Sequence, residues 1–235
     1  MFRGDNRALG QTMALAVACT HDLAHPRVWS EHLLLALAAR PGEIANILAR
    51  HGATPRALQG AALLCAPAGA GAAADQNVLA TLGIDLDCLI NISGAAILDR
   101  PARREPMVPL GAGRVRRRCS RMNPPLGLDA QAAYESSLRL ALARREREYR
   151  PEHLALAPVT LDPGVEWLLI TAGVASRALF ADLAIAFPPP RRSPLLRAER
   201  RLGRRLRHRD IVQRYQGVTG RTAAAGPAVG ALIVG

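Results

Sequence analysis

Ser30-Glu31-His32-Leu33-Leu34-Leu35-Ala36-Leu37 decides how the chain is read. Its residues are strong helix formers or good starters, and breakers bound it: His25-Pro26 before and Pro41-Gly42 after. Ser30 is a favoured N-cap, which predicts a helix over Glu31–Arg40 with Glu31 in the dipole-favoured first turn. The start of this stretch returns 121 residues later as Glu152-His153-Leu154. In the same register Gly52 returns as Gly173, and Arg56-Ala57-Leu58 as Arg177-Ala178-Leu179. A shorter echo, Leu82-Gly83-Ile84-Asp85 with Leu89, aligns on Gly52 with Leu58. Three matched blocks at one offset describe a helical unit used twice in full and once in part.

Working outward, residues 5–24 form an amphipathic helix carrying Leu9, Met13, Ala16, Val17 and Cys19 on one side. A third helix covers 43–51 and stops at Gly52. Thr54-Pro55 then starts a fourth that runs to about Cys65. Residues 66–74 are an Ala/Gly/Pro loop, followed by short helices over 75–82 and 86–92, the second capped by Asp85. Residues 94–127 lack periodicity and are rich in Pro, Gly and Arg, as a linker is. The second set has a long helix over 129–149, a helix opening at Pro151, one capped by Asp162-Pro163 that stops at Gly173, and one opening near Ser176 and ending at Pro188. Pro158 falls inside the second of these, where a proline removes a hydrogen bond and kinks or shortens a helix. Residues 194–216 read as a basic amphipathic helix and 217–235 as disordered. The domain boundaries are therefore a first repeat at 1–93, a linker at 94–123, a second repeat at 124–190 and a basic tail at 191–235.

The bulk numbers agree with an all-α fold. Apolar residues are 49% of the chain but aromatics only 3%, and Ala and Leu favour helices over strands. All 31 basic residues are arginine, within a net charge of +12. Without lysine there is no P-loop and no Schiff-base chemistry. The periodic segments are nearly neutral, and the positive excess sits in 99–123 and 188–235. Cys19, Cys65, Cys88 and Cys119 have no zinc-ligand spacing. Reduced thiols imply a cytoplasmic setting. Residues 8–19 are broken by Gln11 and Thr12 and lack the form of a signal peptide, and no apolar run is long enough to span a bilayer.

Ser30 to Leu37 resembles the Thr-Glu-His-Leu-Leu-Leu-Gly-Leu signature of the Clp N-terminal (Clp repeat) domain. The surrounding Ala24-His25, Pro41-Gly42-Glu43 and Leu82-Gly83-Ile84-Asp85-Leu86-Asp87 fit the turns of that family. The resemblance covers about residues 5–92 and 124–187, with the second copy departing at Pro151 and Pro158. It implies two four-helix repeats forming a pseudo-twofold bundle, here without the ATPase modules. It also implies a non-catalytic recognition role, docking adaptors, clients or the Clp unfoldase and protease. In some members an acidic pocket takes phosphoarginine through the glutamate of each signature, which points to Glu31 and Glu152.

From the residues themselves, Glu31 and Glu152 suit bidentate contact with a guanidinium, or else simply complement a helix dipole. With Ser30, His32 and His153 belong to the motif; each histidine is either a ligand or a packed, hydrogen-bonded residue at a helix start. Arg114, Arg116, Arg117 and Arg118 in the linker, with Arg121, and Arg197, Arg200, Arg201, Arg204 and Arg205 in the tail, suit nucleic acid or another anionic surface, or are solvated arginines. No catalytic motif, metal site or cofactor is indicated. A nucleic-acid or anionic-surface binder acting through linker and tail is the alternative function.

Overall fold

The computed structural model describes residues 4–93, 123–190 and 208–233. Among them are eleven α-helices and two short strands. In chain order these are β1 (Gly4–Asp5), α1 (Arg7–Asp22), α2 (Ser30–Ala39), α3 (Glu43–Arg50), α4 (Pro55–Leu64), α5 (Ala70–Thr81) and α6 (Leu86–Ser93). Then come α7 (Leu128–Arg144), β2 (Glu148–Tyr149), α8 (Pro151–Leu161), α9 (Pro163–Thr171), α10 (Ser176–Ala186), α11 (His208–Thr219) and a 3-10 turn at Gly226–Gly230.

The 121-residue register carries through to the backbone. Helices α1, α2 and α4 begin 121 residues before α7, α8 and α10. Gly52 and Gly173 sit in the left-handed region at φ +83° and +75°, each closing its repeat's third helix. Ala24 and Arg145, also 121 apart, share a left-handed conformation uncommon outside glycine, at φ 52° and 70°. The repeats embrace reciprocally. Asp5 pairs with Tyr149 and Leu126 with Val28, both in parallel. Asn6 N–H donates to the Tyr149 carbonyl at 2.9 Å, and its counterpart Gly127 N–H donates to the Val28 carbonyl at 2.9 Å. Each of these contacts thus has a counterpart at the same 121-residue offset.

One core runs through both repeats. Leu33, Leu34, Leu35 and Leu37 of α2 and Leu154, Leu156 and Leu161 of α8 are buried together with Ile47, Leu58, Leu168, Leu179 and Leu183. The pair α8–α9 is apolar enough to suggest a broken membrane span, but it bends by 87° and its residues are mostly core. No single helix among the described residues is long and apolar enough to cross a membrane.

The structure corrects several expectations. Trp29, not Ser30, is the N-cap of α2; its amide donates to Nδ1 of His32 at 2.9 Å, so the cap is a histidine ring reaching back. Helix α5 starts at Ala70, inside the expected loop, because Gly69, at φ +89°, lies against the face of Trp29 and turns the chain. Helix α7 ends at Arg144 rather than 149, freeing Glu148–Tyr149 to pair with β1. Pro158 does not shorten α8, which has 11 residues against 10 in α2.

The largest correction concerns the tail. Residues 217–233 are folded: Val218, Val229 and Leu232 are buried, and Ala225 N–H donates to the Thr160 carbonyl at 2.8 Å, capping the end of α8. Helix α11 lays Ile211, Tyr215 and Val218 on α7. Residues 94–122 and 191–207, which hold Arg114, Arg116, Arg117, Arg118 and Arg121 and Arg197, Arg200, Arg201, Arg204 and Arg205, lie outside the described residues.

Candidate functional site

Each repeat offers one seat where its second helix begins, and the two seats have diverged. The open one is a cleft of about 200 Å³ bordered by Asn6, Arg40, Glu43, Arg150, Glu152 and Phe187. Glu152 stands in the first turn of α8. The Arg150 guanidinium lies 3.6 Å from Glu152 and 3.8 Å from Glu148, on a half-exposed side chain. Asn6 donates to Glu148 at 2.9 Å. The cleft thus presents two carboxylates and two guanidinium groups around an apolar floor that includes Ile44 and Leu37. That pattern matches a ligand carrying both signs of charge, or a guanidinium that takes Glu152 from Arg150.

The counterpart seat is closed. Shifting Ala8, Pro41, Glu43, Arg150 and Glu152 by 121 residues gives Asp129, Asp162, Gly164, Trp29 and Glu31. Helix α5 crosses this place so closely that a Cβ on Gly164 would sit 2.6 Å from the Gly71 nitrogen, and one on Gly71 would overlap Asp129 and Arg221. Arg221, from the C-terminal segment, fills what remains. Its Nε donates to both Asp75 carboxylate oxygens at 2.8 Å, its Nη2 to Asp75 at 2.6 Å, and its Nη1 to Asp129. Burial works against the guanidinium's charge, but Asp129 and Asp75 outweigh it and hold Arg221 well above its ordinary pKa.

Glu31 lies deeper in the same acidic group and is fully buried. Neither of its carboxyl oxygens is held by another side chain. Burial first, then the charges of Asp129 and Asp162, push it up to about 8, although nearby backbone amides of Glu31 and Ala70 act the other way. Asp162 caps α9 by accepting from Gly164 and Val165 N–H at 2.8 and 3.2 Å. Burial and Asp129 raise it to about 7 despite Arg221.

The motif histidines do the same structural work in both repeats. Arg150 N–H donates to His153 Nδ1 at 3.1 Å, as Trp29 N–H does to His32. With Nδ1 accepting, neutral His32 carries its proton on Nε2, which meets His25 Nδ1 at 2.9 Å. His153 Nε2 instead lies 3.0 Å from Glu146, the residue 121 after His25. Burial, then His25, lower His32 to about 3. His25, Glu31 and His32, and equally Glu146, Glu152 and His153, bring three metal-type donors together. In the first group both His32 nitrogens already have partners within the fold.

The structure therefore places Glu152 at an accessible cleft and Glu31 in the interior, with Ser30, His32 and His153 buried at helix starts. Sequence reasoning missed Asp75, Asp129, Asp162 and Arg221. Comparing the repeats position by position shows where an acid replaces an uncharged residue, as at Ala8 and Asp129 or Pro41 and Asp162. No family model, no curated protein and no solved structure matches the chain.

Proposed function

We propose that this chain is a non-catalytic protein-recognition module of the kind the Clp N-terminal domain represents, and that it takes a basic side chain of a protein partner in the cleft at Glu152. The observation that carries the reading is the accessible Glu152 carboxylate, held at a helix start beside Arg150 in a mixed-charge cleft of about 200 Å³ that Glu43 also lines. The doubled helical unit supports the same family resemblance as the Ser30–Leu37 signature. An arginine entering the cleft would contact Glu152 and Glu43, and a phosphorylated arginine would in addition meet Arg40 and Arg150.

The test is titration of the full chain with two peptides of one sequence, bearing arginine or phosphoarginine, at low and high salt. Binding of either peptide that falls about tenfold or more in Glu152→Gln, and is unchanged in Glu31→Gln, supports the reading. Equal binding by Glu152→Gln, or none by the wild-type chain, sinks it. If the chain binds only nucleic acid, with a steep loss at high salt, the arginine-rich segments carry the function instead.

A further inference from the structure

The two seats share one backbone frame, and one of them is filled by a guanidinium from the C-terminal segment. Arg221 is held by Asp75 and Asp129 in a fork that a point charge would not need: Nε and Nη2 engage one carboxylate, and Nη1 engages the other. Behind it lie the fully buried carboxyl groups of Glu31 and Asp162. The acids converge from α5, α7, α2 and the turn before α9, which are distant in sequence. Asp75 is one-third exposed while Asp129 is buried, so the guanidinium bridges from the surface to the interior. The repeat that lacks these acids, with Ala8 and Pro41 in their places, has the open cleft.

We propose that the Asp75–Asp129 seat is a guanidinium-binding site occupied in cis by Arg221, so that of two seats at matching helix starts the chain's own C-terminal segment leaves one open. This rests on the reading of the Glu152 cleft as the remaining open seat. The ligand class of the closed seat is a planar, multiply donating cation, which arginine satisfies and lysine does not. Emptying it leaves space bounded by Asp75, Asp129 and Gly71, with the tail's backbone still anchored by Ala225 on Thr160.

The experiment is calorimetric titration of the full chain with methylguanidinium at fixed ionic strength, in a Glu152→Gln background that removes the open cleft. The Glu152→Gln/Arg221→Ala chain is expected to bind one methylguanidinium, and to prefer it to methylammonium by about tenfold. Glu152→Gln with Arg221 intact is expected to bind none. No binding by the double variant overturns the proposal, as does equal binding by the two chains. Should the double variant fail to fold, refolding in methylguanidinium is the measurement. Recovery of the helical far-ultraviolet signal with methylguanidinium and not with methylammonium supports the site, and no recovery overturns it. Failure of the open-cleft reading shows separately, as wild-type chain that binds neither arginine peptide, and leaves these outcomes unchanged.

Discussion

Glu31 and Glu152 occupy the same position of the same structural unit, yet they live in different solvents. Glu152 shares an open cleft with arginines. Glu31 is sealed beneath α5 beside two more acids, with no side-chain hydrogen-bonding partner. Each begins the same Glu-His-Leu triplet in the first turn of a helix. What differs is what later segments lay across them: Gly71 and Arg221 over one, and no segment among the described residues over the other. A motif therefore fixes a backbone position and a cap, while the chemistry of its glutamate is set by residues far away in the chain.

The largest test removes the cover altogether. Ending the chain after residue 207 exposes the surfaces that Ile211, Tyr215, Val218, Val229 and Leu232 bury. Each such side chain is worth about 1.5–3 kcal/mol of burial, offset in part by the entropy of the released segment. It also uncaps α8 and leaves Asp129 without Arg221. Urea denaturation is expected to show a loss of several kcal/mol. A midpoint unchanged from wild type would mean that the tail is an accessory and that the two seats differ for another reason.

Arg221→Ala isolates one side chain of that cover. Removing one partner of a buried ion pair costs about 3–5 kcal/mol because the other charges remain buried. The cost should be smaller below about pH 7, where Asp162 and Glu31 are already protonated. Denaturation at pH 5 and pH 8 checks this, and a loss that is equal at both pH values would separate Arg221 from the acidic group.

Glu31→Gln should act in the opposite direction. Unfolded, Glu31 ionises near its ordinary 4.5; folded, it holds its proton up to about 8. Folding thus takes up a proton, and stability falls as pH rises from about 4.5 to 8. Asp162, raised to about 7, adds to the fall. His32 works the other way below 6.5, because a ring lowered to about 3 must lose its proton to fold. Above pH 6.5 nothing from His32 offsets the acids. Glu31→Gln is therefore expected to be near neutral at pH 4.5 and to stabilise by about 2–4 kcal/mol at pH 8, read as a flatter dependence of the urea midpoint on pH.

Much of the fold was legible in the sequence because it rests on local rules. Gly52 and Gly173 had to close helices, Thr54-Pro55 and Asp162-Pro163 had to open them, and the 121-residue register tied them together. The tail was not legible. Its apolar stripe of Ile211, Tyr215 and Val218 is set among Arg209 and Arg214, so composition spoke for solvent while spacing spoke for a helix face. The closed seat was hidden for a further reason. Asp75, Asp129 and Arg221 are separated by 92 residues or more in each pairing with Arg221, and no local pattern announces such a meeting. Trp29 outranked Ser30 as N-cap because a histidine ring three residues on supplied the acceptor.

Gly71→Ala probes the comparison where α5 crosses the closed seat. The added Cβ overlaps the Asp129 carboxylate and the Arg221 guanidinium, so these two buried side chains must shift and give up their contact. Overpacking of this kind costs about 1–3 kcal/mol.

The smallest expected effect sharpens the comparison most. Glu152→Gln removes a partly exposed carboxylate whose ion pair with a half-exposed Arg150 is solvent-screened, and such pairs contribute about 0–1 kcal/mol. Its stability should stay within about 0.5 kcal/mol of wild type at both pH 5 and pH 8. Set beside Glu31→Gln, this is one substitution made twice at equivalent positions, with a pH-dependent gain in one and no change in the other. Were Glu152→Gln to stabilise the chain at pH 8 as Glu31→Gln does, the cleft would behave as interior rather than as an open seat. The difference between the repeats would then lie in something other than the cover that Gly71 and Arg221 provide.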